Sequence, residues 1–102
     1  FTCGSDGGDP MAGLTEGENG ALYGTADGGG NSCYSSGCGT VYELTPTSIG
    51  YAFSVLWRFQ SNGDGNMPDS ELLPDATGAL YGTTTRGGLS GSSNGTVFKV
   101  VP

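Results

Sequence analysis

Ten carboxylates, three cysteines and no histidine limit the chemistry open to this chain. The missing imidazole removes the commonest general base and the commonest metal ligand. Cys3, Cys33 and Cys38 are too few for a zinc site, which takes four ligands, and no histidine can complete the set. Cys33 and Cys38 bracket the short loop Tyr34-Ser35-Ser36-Gly37. In a secreted protein this spacing predicts a disulfide, worth about 2 kcal/mol for so short a loop. In a reducing compartment the same residues are two free thiols. Cys3 is left over, either free or paired with another chain. Asp6 and Asp9 lie in one acidic, Gly-rich turn, Asp64 and Asp69 in another, and these four are the calcium candidates. Neither turn has the glycine and glutamate spacing of an EF-hand loop. An ordinary Asp-Gly turn is the preferred reading, and no cofactor is expected. Asn94-Gly95-Thr96 is an N-glycosylation sequon, although its Gly-Thr pair also occurs without Asn at Gly39-Thr40. No carboxylate pair has a setting that marks it for acid–base work, so no catalytic residue is assigned and the chain is not expected to be an enzyme.

Charge narrows the partners. The net charge is −7, and the three basic residues are Arg58, Arg86 and Lys99. They are too few and too scattered to release counterions from a phosphate backbone, so nucleic acid is not an expected partner. An anionic membrane surface is disfavoured for the same reason. No apolar run approaches the roughly 20 residues of a spanning helix. The chain begins with neither an initiator Met nor a signal peptide, as a mature or trimmed product would.

The elements that would carry these residues come twice. Phe1 to Ser32 lies over Phe59 to Ser90 without a gap, at an offset of 58 (59 − 1). Ala21-Leu22-Tyr23-Gly24-Thr25 recurs as Ala79-Leu80-Tyr81-Gly82-Thr83. Gly39-Thr40-Val41-Tyr42 recurs as Gly95-Thr96-Val97-Phe98 at an offset of 56 (95 − 39). This repetition is why Gly-Thr follows Asn94. A repeat of this size is a unit that cannot bury its apolar face alone.

Strand signals fill the unit. Ile49, Tyr51, Phe53, Val55, Trp57 and Phe59 occupy alternate positions, which predicts a strand over 49–59 with these six on one face and Leu56 as the exception. Further strands are expected at 39–46 and 95–102, at 21–25 and 79–83, and, shorter, at 11–15 and 70–73. Asn19-Gly20 and Thr77-Gly78 suit tight turns before the Leu-Tyr-Gly-Thr strands. The expected fold is one all-β domain over 1–102. Its first antiparallel four-stranded repeat runs over 1–58, and its second, over 59–102, lacks its last strand. The order resembles a propeller blade.

Leu-Tyr-Gly-Thr followed by Gly-Gly, then Gly-Thr-Val-Tyr/Phe, then Val55-Leu56-Trp57-Arg58-Phe59 and Asp64-Gly65 before Pro68, resembles the bacterial GloVer tandem repeat across essentially the whole chain. Val55 to Phe59 is also similar to the end of a quinoprotein-type propeller blade. The resemblance implies a secreted or cell-surface bacterial protein with propeller-blade-like repeats, usually in more than two copies. The function expected is structural. The chain would be a subunit of an extracellular assembly or filament, with copies of itself as partners and inter-chain strand pairing as the joint. Phe1, Val97, Phe98 and Val100 mark the expected assembly edge. A carbohydrate-binding, lectin-like module with glycans as partners is the alternative, resting on Tyr and Trp in a Gly-rich β scaffold. A fragment of an extracellular hydrolase is the third reading.

Overall fold

The computed structural model describes residues 7–8, 10, 13–17, 20–28, 30, 39–59, 66–68, 70–86 and 95–102. All of the regular structure among them is β, in eight strands. Strands β1 (Thr15–Glu16), β2 (Leu22–Ala26), β3 (Thr40–Thr47) and β4 (Gly50–Arg58) form an antiparallel sheet in sequence order. The second sheet is built on β7 (Leu80–Arg86). One edge of β7 takes β8 (Thr96–Val100). The other edge takes β6 (Leu73–Pro74) at one end and β5 (Asn66–Pro68) at the other. That sheet is therefore three positions wide.

The duplication in the sequence reappears as identical register. Tyr23 pairs with Glu43, and Tyr81 with Lys99. Thr25 pairs with Val41, and Thr83 with Val97. Thr15 pairs with Tyr23, and Leu73 with Tyr81. Even the isolated Gly8–Gly28 bridge has its counterpart in the Asn66–Arg86 pair. Gly24 and Gly82 show why the motif needs glycine at its centre. A Cβ on Gly24 would lie 2.5 Å from the Tyr42 hydroxyl, and one on Gly82 would lie 2.6 Å from Phe98 Cζ. In each copy the outer end of the cross-strand aromatic ring occupies the space a Cβ would take, and the preceding leucine, Leu14 or Leu72, also reaches it.

Several expectations need correcting. The long strand starts at Gly50, and Ile49 lies in the hairpin turn, 97% exposed. Its six large residues do not share a face. The register slips between Val41, opposite Trp57, and Tyr42, opposite Val55, so Leu56 is an extra, bulged residue. Tyr51, Phe53 and Val55 stay with Leu44 and Tyr42, whereas Trp57 joins Val41 on the other face. The bulge explains Leu56, the one break in the alternation: it packs against the buried core. The short strands near 11–15 and 70–73 fall later and are only two residues long, at β1 and β6. Strand β5 falls where an acidic turn was expected, and its Pro68 pairs with Thr84 on an edge position that tolerates a missing donor.

Paired residues share a face, so each sheet has two. Face A of the first sheet carries Thr15, Tyr23, Thr25 and Val41, and face B carries Leu22, Gly24, Tyr42 and Leu44. Face A meets the second sheet. Tyr23 and Val41 join Phe59, Leu72 and Leu80 in one buried cluster. Thr15 donates to the Leu72 carbonyl at 2.6 Å, and Thr25 to the Ser70 carbonyl at 3.2 Å. Phe59, at the end of β4, packs edge-on to Phe98 with ring centroids 5.2 Å apart. The second sheet therefore offers its own face B, that of Leu80, Gly82 and Phe98, to face A of the first.

Candidate functional site

Most of the residues singled out for chemistry lie outside the described residues: Cys3, Cys33, Cys38, Asp6, Asp9, Asp64, Asp69, Asn94 and Phe1. Among the described residues, no group of three or more His, Cys, Asp or Glu comes together in a way that could hold a metal ion. The remaining edge residues, Val97, Phe98 and Val100, all lie on β8 but differ in what they offer. Val97 is 79% exposed. Phe98 and Val100 are half-buried and pack against the core cluster, so their side chains are already engaged.

Strand β8 has β7 on one side, and no strand among the described residues pairs on the other. In the first sheet the equivalent side of β3 carries β4, which pairs with it from Thr40 through Thr47. A groove of about 350 Å³ runs along β8, walled by Leu56, Trp57 and Phe59 from the end of β4. Its lining is largely apolar, with Thr96 and Lys99 the polar residues of β8 in it. A strand edge beside apolar walls is a template for another strand.

A second cleft, of about 400 Å³, opens between the turns at one end of both sheets and contains Glu16, Tyr23, Asp75 and Thr77. Asp75 was not foreseen, although Asp75-Ala76-Thr77-Gly78 is a readable turn sequence. Its carboxylate accepts the Thr77 amide at 2.8 Å, the Thr77 hydroxyl at 2.6 Å, the Ala79 amide at 3.1 Å and the Tyr81 hydroxyl at 3.0 Å. The Thr77 side-chain hydrogen bond, then that of its backbone, lowers the Asp75 pKa to about 2, with smaller help from Tyr81 and Ala79 against slight desolvation. A carboxyl held this firmly as an anion is a turn brace and does not donate protons near neutrality. In the first copy Gly17 stands in this place. It makes the equivalent backbone bond to Ala21 at 2.8 Å, and a Cβ there would lie 2.5 Å from the Tyr23 ring.

Exposed aromatics form the third candidate. Tyr51 is 57% exposed, Phe53 42% and Trp57 44%. Tyr51 and Phe53 share a face, on which Phe53 stacks on Tyr42 at 5.5 Å, but the bulge sends Trp57 to the opposite side. The three rings do not make one platform.

A family model described as the Gloeobacter/Verrucomicrobia repeat matches residues 1–102, and the chain belongs to that family. No curated protein and no solved structure matches the chain.

Proposed function

We propose that this chain is a structural subunit of an extracellular assembly, a secreted or cell-surface bacterial repeat protein whose second sheet is completed by a strand from another copy. The observation that carries the reading is the second side of β8, the counterpart of the side of β3 on which β4 lies. A strand with the pattern of Gly50–Arg58, its bulge at Leu56 included, suits that groove, because that pattern already fits the sister strand β3. Each sheet then becomes a four-position, propeller-blade-like unit in an open array. No catalysis is part of this reading. The carboxylate with the most marked surroundings, Asp75, is braced as an anion.

Hydrogen exchange tests the joint. At assembling concentrations the amides of Val97 to Val100 that face away from β7 gain protection relative to dilute protein. Unchanged exchange in an assembled sample rejects strand addition at β8. Immunogold labelling of intact source cells tests the location, and label confined to the cell interior rejects it. The second reading, carbohydrate binding, is favoured by the shared exposed face of Tyr51 and Phe53. It requires glycan-array signal that Tyr51→Ala abolishes.

A further inference from the structure

The two copies have matching sequences and registers, yet matched residues differ sharply in burial. Val41 is fully buried and its counterpart Val97 is 79% exposed. Leu72 is 3% exposed and its counterpart Leu14 is 49% exposed. Both contrasts have one cause. Val41 lies on face A of the first sheet, which the second sheet covers. Val97 lies on face A of the second sheet, with Leu73, Tyr81 and Thr83. Leu72 lies on the covered face B, and Leu14 on the face B at the other end of the molecule. The chain therefore holds one completed A-on-B joint and one spare half of that joint at each end.

From this we infer that a second copy of the chain stacks face to face at the end of the first, its Leu14 face seated on the Leu73–Val97 face of its neighbour. The spare halves are close copies of the halves already joined. Tyr23, Thr25 and Val41 recur as Tyr81, Thr83 and Val97, while Leu14, Leu22 and Gly24 recur as Leu72, Leu80 and Gly82. The internal joint is continuous with the proposed one and supplies its geometry. Where Thr15 meets Leu72 within the chain, Leu73 of one copy meets Leu14 of the next. The substitution of Thr15 by Leu73 makes the end face more apolar than the internal one. The contact is head to tail, so it uses different surfaces on the two partners and adds copies in one direction. It rests on the assembly reading above but uses a face, whereas strand addition uses the β8 edge, and it predicts a polar array in which all copies point the same way.

Photo-crosslinking from position 73 decides it. Leu73 is replaced by benzoylphenylalanine, the protein is irradiated at assembling concentration, and cross-linked peptides are mapped. The expected product joins residue 73 of one copy to the Leu14 segment of another, and its yield falls at least tenfold in Leu14→Asp. Because Leu14 also touches its own sheet, Thr83→Glu, exposed and remote from Leu14, serves as the second variant and must lower the yield without changing the melting temperature of dilute protein. Cross-links from 73 to another site, or none in a sample that still polymerises, overturn face stacking and leave strand addition at β8 standing. A wild-type chain that stays monomeric at every concentration overturns both.

Discussion

Thr40 and Thr96 hold matching positions in the two copies but differ in their hydroxyl's hydrogen bonding. Thr84 and Thr96 hydrogen-bond hydroxyl to hydroxyl at 2.7 Å across β7 and β8, and the Thr84 hydroxyl also accepts the Thr96 amide at 2.9 Å. In the first copy the position of Thr84 is Ala26, and the fully buried Thr40 hydroxyl has no hydrogen-bond partner among the described residues. A buried hydroxyl without a hydrogen bond costs about 1–3 kcal/mol. Thr40→Val, which keeps the shape, is expected to raise stability by about 1 kcal/mol, whereas Thr84→Val is expected to lower it by about the same amount. Urea unfolding of both variants checks the opposite signs. Asp75 gives a pH signature. Its folded pKa lies below the usual carboxylate value near 4, so the stability it contributes is complete above about pH 4 and is lost as pH falls towards 2. Acid unfolding of Asp75→Asn should have a shallower limb over that window. An identical limb would mean that the four hydrogen bonds at Asp75 do not couple to folding.

At the scale of elements, the tight turns between strands separate geometry from space. Gly95 has φ +89°, and a Cβ there would overlap the Thr84 backbone carbonyl. Gly78 has a similar φ of +87° but open space around it. Gly95→Ala is therefore expected to cost about 3 kcal/mol and Gly78→Ala about 1 kcal/mol, the first adding a backbone clash to the strain that both share. Denaturant midpoints of the two variants test that ranking. The strands themselves were largely legible. The Leu-Tyr-Gly-Thr and Gly-Thr-Val segments became β2, β3 and β8 within a residue or two, while β7 runs three residues past the expected end, to Arg86; flanking glycines mark all four. The failures have physical causes. Leu56 looked like noise in an alternating run, but a bulge places two residues opposite one and flips every side chain beyond it. Asn66-Met67-Pro68 carries no alternation long enough to read and becomes a strand because β7 presents an edge to it.

At the scale of the molecule, sequence showed that there were two units but not how they meet. Identical motifs predicted equivalent positions, and register bears this out. The motifs did not say that Val41 would be buried and Val97 exposed, since that difference belongs to the stacking of one sheet on the next. The candidate chemistry was legible only as residue types. The braced carboxylate at Asp75 emerged from turn geometry and Tyr81, a residue far enough along the chain to escape a local reading. Net charge makes a further prediction. With −7 per chain, copies repel one another at low ionic strength. Raising salt from about 0.01 to 0.15 M shortens the screening length from about 30 to 8 Å, so the concentration needed for assembly should fall. Light scattering across that series checks the sign, and a rise would point to attractive ion pairs at the joint.

In the assembly proposed above, copies of this chain complete one another. Sedimentation velocity of the purified chain over a hundredfold range of concentration, at about 0.15 M salt, reads this out. The expected result is a shift from a slow species to a continuous series of larger ones as concentration rises, the signature of open, head-to-tail growth. One sharp, concentration-independent boundary at the mass of a single 10.2 kDa chain would contradict it.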